Sequence, residues 1–169
     1  LSGPASAGTS CSDARNWLLE VEPGPRTEIA QVELQFVGEI ATSGPGGSAY
    51  LDLLRAGWSL PVGAPFSQGG WDGAKQALLD AVAARRYAAA RIVDSRAEID
   101  PESARATLRV RIDSGPTFYL GELDDEGLEH LPADLVERYS QLAPGSPYDR
   151  EALLAFQTEL QNTPHFGSV

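Results

Sequence analysis

The side chains that could carry catalysis or ligate a metal are few and poorly placed. His130 and His165 have no partner at metal-ligand spacing. His165 adjoins Phe166 where a helix is expected to end, a place where a cation suits the helix dipole. Cys11 is the single cysteine and sits in Ser/Thr/Gly-rich sequence, so the chain has neither an internal disulfide framework nor a Cys-rich zinc site. A mate elsewhere or a free thiol are both open for it. Ser43-Gly44-Pro45-Gly46-Gly47-Ser48 is a Gly-rich stretch leading into a helix, and helix starts can hold phosphate. It lacks the Gly-Lys-Ser/Thr ending of a phosphate-binding loop, and Pro45 interrupts it, so it reads as a loop. The acidic run Glu122-Leu123-Asp124-Asp125-Glu126 does not have the alternating ligand spacing of a calcium loop. No Gly-x-Ser-x-Gly elbow is present. The expectation is a protein that is not an enzyme and carries no cofactor and no metal.

Charge narrows the partners. The 169 residues contain 24 acidic and 13 basic side chains, for a net charge of −11. Nucleic acid is an unexpected partner for such a chain, because phosphate binding needs clustered Lys and Arg. No apolar run reaches the 18 or so residues that a membrane-spanning helix requires. Met is absent, so a fragment or a mature segment is expected. One local row of basic charge does stand out, at Arg105, Arg109 and Arg111. It either forms a salt-bridged solvent face or docks an acidic partner surface.

The elements that must position these side chains follow from periodicity and turn chemistry. In Glu28–Val37, Val32, Leu34 and Phe36 share one face and Glu33 and Gln35 the other, which predicts a strand. A short helix is expected from Gly47 or Ser48 to Ala56, burying Tyr50, Leu51 and Leu54. A second is expected over Asp72–Arg86, capped by Asp72, with Ala74, Leu78, Ala81, Val82 and Arg85 as its buried stripe. Two strands close the unit, Arg91–Ile99 and Ala104–Asp113, joined by the turn Asp100-Pro101-Glu102-Ser103. The last alternates cleanly, with Ala106, Leu108, Val110 and Ile112 inward. Trp17, Trp58 and Trp71 are expected as core or joint anchors.

The chain also repeats itself, with copies about 80–90 residues apart, the size of a small domain. VEPGPRTEIAQVEL aligns with IDSGPTFYLGEL on Gly24-Pro25 and Gly115-Pro116. Gly63-Ala64-Pro65-Phe66 aligns with Gly145-Ser146-Pro147-Tyr148, each before an apolar helix; aromatics Tyr87 and Phe166 follow those helices. In the later copy a strand over Thr117–Leu123 is expected, then a helix beginning near Pro132 with Leu135, Val136 and Tyr139 buried. A second helix is expected to be capped by Asp149, with Leu153, Phe156 and Leu160 on its stripe, and Phe166–Val169 begins another strand. Asn16–Glu22 reads as the last strand of a preceding unit.

This strand–helix–helix–strand–strand pattern, with its strand running into Gly-Pro and its Gly-x-Pro-aromatic turn, resembles the POTRA repeat of the Omp85 superfamily of outer-membrane assembly proteins. The segment SGPTFYLGEL resembles most the autotransporter assembly factors (TamA) of that superfamily. The fold class so implied is α+β: tandem POTRA-like units, each with two helices on one face of a three-stranded mixed sheet. Residues 1–26 would be the remnant of a first unit, 27–114 a complete unit, and 115–169 a truncated following one.

The resemblance further implies a periplasmic segment of a Gram-negative outer-membrane protein, with a membrane barrel beyond Val169. Its implied partners are nascent outer-membrane or autotransporter proteins and a TamB-like inner-membrane protein. The alternatives are a passive spacer between barrel and inner membrane, or a segment of a BamA-like or two-partner secretion protein. In the family the strand after the second helix is an exposed edge that extended clients can join. Here that strand is Arg91, Ile92, Val93, Asp94, Ser95, Arg96, Ala97, Glu98 and Ile99, and its charges would ordinarily discourage pairing. A truncated sheet leaves an apolar face uncovered, so dimerisation or swapping through residues 115–169 is expected.

Overall fold

Period-two patterning becomes a sheet at the expected places. In the computed structural model, which describes residues 24, 26–42, 44–124, 136, 140 and 142–163, β1 spans Glu28–Val37, β2 Arg91–Asp100 and β3 Arg105–Asp113. The sheet order is β1-β3-β2; β3 is central, parallel to β1 and antiparallel to β2. Ala106, Leu108, Val110 and Ile112 of β3 are fully buried, and they form the floor of the core. On β1, Ile29 and Val32 lie opposite Ala106 and Leu108 although their numbers differ in parity. A bulge between Ile29 and Gln31 absorbs the extra residue, so Ile29, Val32, Leu34 and Phe36 all face the core.

The helices cover that floor on one face. α1 (Glu39–Thr42) is a single turn, α2 spans Gly44–Ala56, and α3 spans Gln68–Ala83. Trp71, Ala74, Leu78 and Val82 form the buried stripe of α3. Trp58 meets Trp71 edge-on, with ring centroids 6.1 Å apart, and its indole N–H donates to the Leu60 carbonyl at 2.8 Å. Both tryptophans therefore anchor the core, Trp58 while half-buried.

Three expectations about the helices are corrected. The stretch Gly44–Gly47 is helix rather than loop. Pro45 falls in the first turn, where a missing N–H costs nothing, and packing of Tyr50, Leu51 and Leu54 carries the glycines. The cap of α3 is Ser67, whose hydroxyl accepts from the Gly70 N–H at 3.1 Å, and not Asp72. Asp72 lies inside the helix, paired with Lys75 at 2.9 Å and accepting from Gln68 at 3.0 Å. Ala81 and Arg85 are exposed, not part of the stripe, and the helix ends before Arg85.

In the later copy, α4 spans Arg150–Gln161 with Asp149 as its cap, as expected, accepting from Glu151 at 2.9 Å and Ala152 at 3.2 Å. Leu160 and Val136 are buried. The strand expected over Thr117–Leu123 reduces to one bridge, Tyr119 with Pro147, because no second strand flanks it among the described residues. The expected elements at Asn16–Glu22, at Pro132, Leu135 and Tyr139, and at Phe166–Val169 lie outside the described residues.

Candidate functional site

Both outer strands of the sheet are edges, and hydrogen-bond alternation says which backbone groups they leave free. Ser114 N–H donates to the Val37 carbonyl and Glu28 N–H to the Ala104 carbonyl, so even-numbered residues of β3 face β1. The odd-numbered residues then face β2, where their partners are Asp94, Arg96, Glu98 and Asp100. The N–H and C=O groups of Ser95, Ala97 and Ile99 therefore point away from the sheet. No described segment pairs with that side of β2.

The charges on this edge do not stand in the way. Arg96, Glu98 and Asp94 project to the outer face, while the residues with free backbone groups carry the uncharged side chains Ser95, Ala97 and Ile99. Arg109 ties the face together: its guanidinium donates to Glu33 at 3.0 Å and to Glu98 at 3.2 Å, and Arg96 lies 3.7 Å from Glu98. Each such exposed pair is worth about 1 kcal/mol or less. Arg105 lies in register between Glu28 and Asp100, and Arg111 between Gln35 and Asp94. The basic row is balanced within the sheet by its own neighbours. The β2 edge is not uniform, since a bulge between Ile92 and Asp94 leaves Val93 45% exposed and bends its start. The regular, pairing-competent stretch is Asp94–Asp100.

The repeated turn is a backbone structure repeated bond for bond. In the first copy Ile29 N–H donates to Ala64 (2.9 Å), Gly63 N–H to Ile29 (2.8 Å) and Phe66 N–H to Thr27 (2.8 Å). In the second, Leu120 N–H donates to Ser146 (2.8 Å), Gly145 N–H to Leu120 (2.8 Å) and Tyr148 N–H to Phe118 (2.9 Å). Gly63 and Gly145 both take positive φ, at 86° and 81°, which glycine supplies without strain. Arg86 joins the second copy to the end of α3: its N–H donates to Tyr148 at 2.8 Å and its carbonyl accepts from Phe118 at 2.6 Å. At the other side of the joint the Glu39 carboxylate accepts from the Thr117 N–H at 2.7 Å. Hydrogen bonding from Thr117, its hydroxyl first and its N–H second, holds the Glu39 carboxyl below the usual range.

No family model matches the chain, and no curated protein matches it. Solved structures do. The chain is similar to the crystal structure of Haemophilus influenzae BamA POTRA3-5, with a TM-score of 0.57 at 17% identity over 86% of this chain and 54% of that one. It is also similar to the crystal structure of BamA from Haemophilus ducreyi lacking POTRA domains 1-3, with a TM-score of 0.64 at 15% identity over 84% of this chain and 25% of that one. The fold is a POTRA fold. The chain spans about half the length of the first of these proteins and a quarter of the second. At such identities the likeness concerns architecture.

The other residues that could have done chemistry come together at no site among the described residues. Glu122, Leu123 and Asp124 are exposed. Among the described residues no group of His, Cys, Asp and Glu could hold a metal ion, and no helix is long and apolar enough to cross a membrane. Cys11, Trp17, His130 and His165 lie outside the described residues. In the later copy a groove of about 640 Å³ is lined in part by Leu120, Leu123, Leu142, Leu153 and Phe156. Sequence reasoning missed the Val93 bulge and the junction at Arg86. A β-branched residue beside charges gave no signal for the first. An arginine at φ 63° gave none for the second.

Proposed function

We propose that this chain is a periplasmic scaffold segment in outer-membrane protein assembly, and that extended client segments join the sheet at β2. The observation that carries this reading is the open stretch Asp94–Asp100, where Ser95, Ala97 and Ile99 offer backbone groups beside uncharged side chains while the charges point to the outer face. Main-chain pairing asks little of a client's sequence, which suits a protein that handles many clients. The POTRA fold, shared with BamA domains, supports the placement in the periplasm beneath a membrane barrel. Residues 27–114 are then one unit, 1–26 the end of a preceding one and 115–169 part of a following one. The segment SGPTFYLGEL favours an autotransporter assembly factor with a TamB-like partner over a BamA-like protein.

The test is a photo-cross-linking series on the chain. A photoreactive residue replaces Glu98 at the edge or Gln76 on exposed α3, and an unfolded outer-membrane barrel protein is diluted from denaturant onto each variant. Adducts from position 98 and not from 76 are expected; equal labelling at both overturns the edge reading. A second reading, a spacer that fixes orientation without touching clients, is favoured by the backbone hydrogen bonds through Arg86 and by Glu39–Thr117. It predicts no adducts at either position.

A further inference from the structure

The joint at Arg86 has a counterpart that stands open. In the second copy of the turn, three backbone groups are spent on the end of α3. The Arg150 N–H donates to the Ala84 carbonyl at 2.9 Å, the Tyr148 carbonyl accepts from the Arg86 N–H at 2.8 Å, and the Phe118 N–H donates to the Arg86 carbonyl at 2.6 Å. The two turns match bond for bond, so Gln68, Phe66 and Thr27 stand in the first copy where Arg150, Tyr148 and Phe118 stand in the second. Yet the Gln68 N–H, the Phe66 carbonyl and the Thr27 N–H have no partner among the described residues. All three residues are exposed or half-buried. Unspent backbone groups held in a fixed turn are a template for a chain that can complete them.

We infer that the first turn is a socket for the end of a helix belonging to the preceding unit, docked as Ala84–Arg86 is docked on the second turn. What the second socket holds specifies the occupant's backbone. A helix cap supplies a carbonyl to the Gln68 N–H, and the residue two places on spends both its N–H and its carbonyl on the socket. That residue is left-handed in the occupied joint, where Arg86 has φ 63°. Glycine takes this conformation without strain, and arginine does not. Helix dipoles favour the arrangement, because the Ala84 carbonyl closes α3 and the Arg150 N–H begins α4. Gln68 likewise begins α3. The charges differ between the sockets: Asp149 lies 3.6 Å from Arg85 in the second, whereas Ser67 takes its place in the first. The occupant therefore needs no basic residue opposite Ser67. The inference rests on the reading of the chain as tandem units, and not on whether β2 takes a client.

The probe is a synthetic, end-capped peptide of residues 76–88, stapled between positions 77 and 81, which are exposed on α3. The staple makes it helical before it binds. Titrated onto the isotope-labelled chain, it should give saturable shifts at the Thr27 and Gln68 amides. Arg86→Gly in the peptide should tighten binding about fivefold, because the left-handed residue no longer carries strain. Arg86→Pro in the peptide removes the N–H and forbids positive φ, and should abolish binding. In the chain, Gln68→Pro deletes one donor at a first helical position, where proline is accommodated, and should weaken binding about fivefold with α3 intact. Equal binding by the Arg86→Pro peptide, undiminished binding to the Gln68→Pro chain, or no saturation at Thr27 and Gln68 would each overturn the inference. Shifts at those amides that grow with chain concentration alone would assign the socket to a second copy and overturn it as well. None of these results bears on the β2 edge, so the two readings fail separately.

Discussion

Residues 27–29 with 63–67, and 118–120 with 145–149, build the same small structure in two settings. In both, a short extended segment exchanges three backbone hydrogen bonds with a Gly-x-Pro-aromatic turn, and an oxygen-bearing side chain then caps a helix. In the first copy the extended segment continues into β1, with Ile29, Val32, Leu34 and Phe36 pressed on a buried β3. In the second it stays a single bridge, and Leu120, Leu123, Leu153 and Phe156 line an open groove. The difference separates two kinds of information. The Gly-x-Pro-aromatic turn and the helix cap that follows it are specified within about ten residues, and both recur in the second copy. The strand needs a partner supplied from far along the chain.

The largest predicted effect removes that partner's packing. Ile112→Ala empties a fully buried position of β3 and should cost about 3 kcal/mol, read from urea denaturation. Because Arg86 and Ala84 hydrogen-bond to Tyr148 and Arg150, α4 should melt in the same transition. Separate transitions would show that the second copy stands alone. The next effect compares the copies directly. Gly63→Ala and Gly145→Ala meet no steric neighbour, so each should cost about 1–2 kcal/mol from positive φ alone, and by similar amounts. Removing the caps, Ser67→Ala and Asp149→Ala, should cost about 1 kcal/mol each.

The smallest effect concerns the joint. The carboxyl of Glu39 titrates below its ordinary range because Thr117 hydrogen-bonds to it. Its contribution is therefore present above the unfolded-state pKa and is lost as pH falls through the lower, folded-state value. Amide exchange at Thr117 should speed up on acidification through that range. Glu39→Gln should remove this pH dependence, leaving only the changes that Asp72 and Asp100, also held low, bring to their own surroundings.

The sheet was legible in the sequence to within a residue at its ends, because Ala106, Leu108, Val110 and Ile112 alternate without interruption. The repeated turn was legible because glycine and proline sit where φ demands them. Asp149 marked one helix start, but the starts of α2 and α3 were not legible. Gly44–Gly47 and Gly69-Gly70 look like loop on intrinsic propensity, and packing overrides it there. The bulges at Ile29/Gln31 and Ile92/Asp94 were invisible, since register belongs to the pair of strands and not to either one. The candidate edge strand was named from a family resemblance. That its charges sit on one face and its free backbone groups beside Ser95 and Ala97 emerged only from pairing with β3.

The most direct test of the scaffold reading is a backbone-amide titration of the chain with a peptide from the last strand of an outer-membrane barrel. Strand addition at β2 predicts saturable shifts concentrated at Asp94–Asp100, with protection of the Ser95, Ala97 and Ile99 amides from exchange. An unchanged β2 at saturating peptide would contradict it and leave the spacer as the better account.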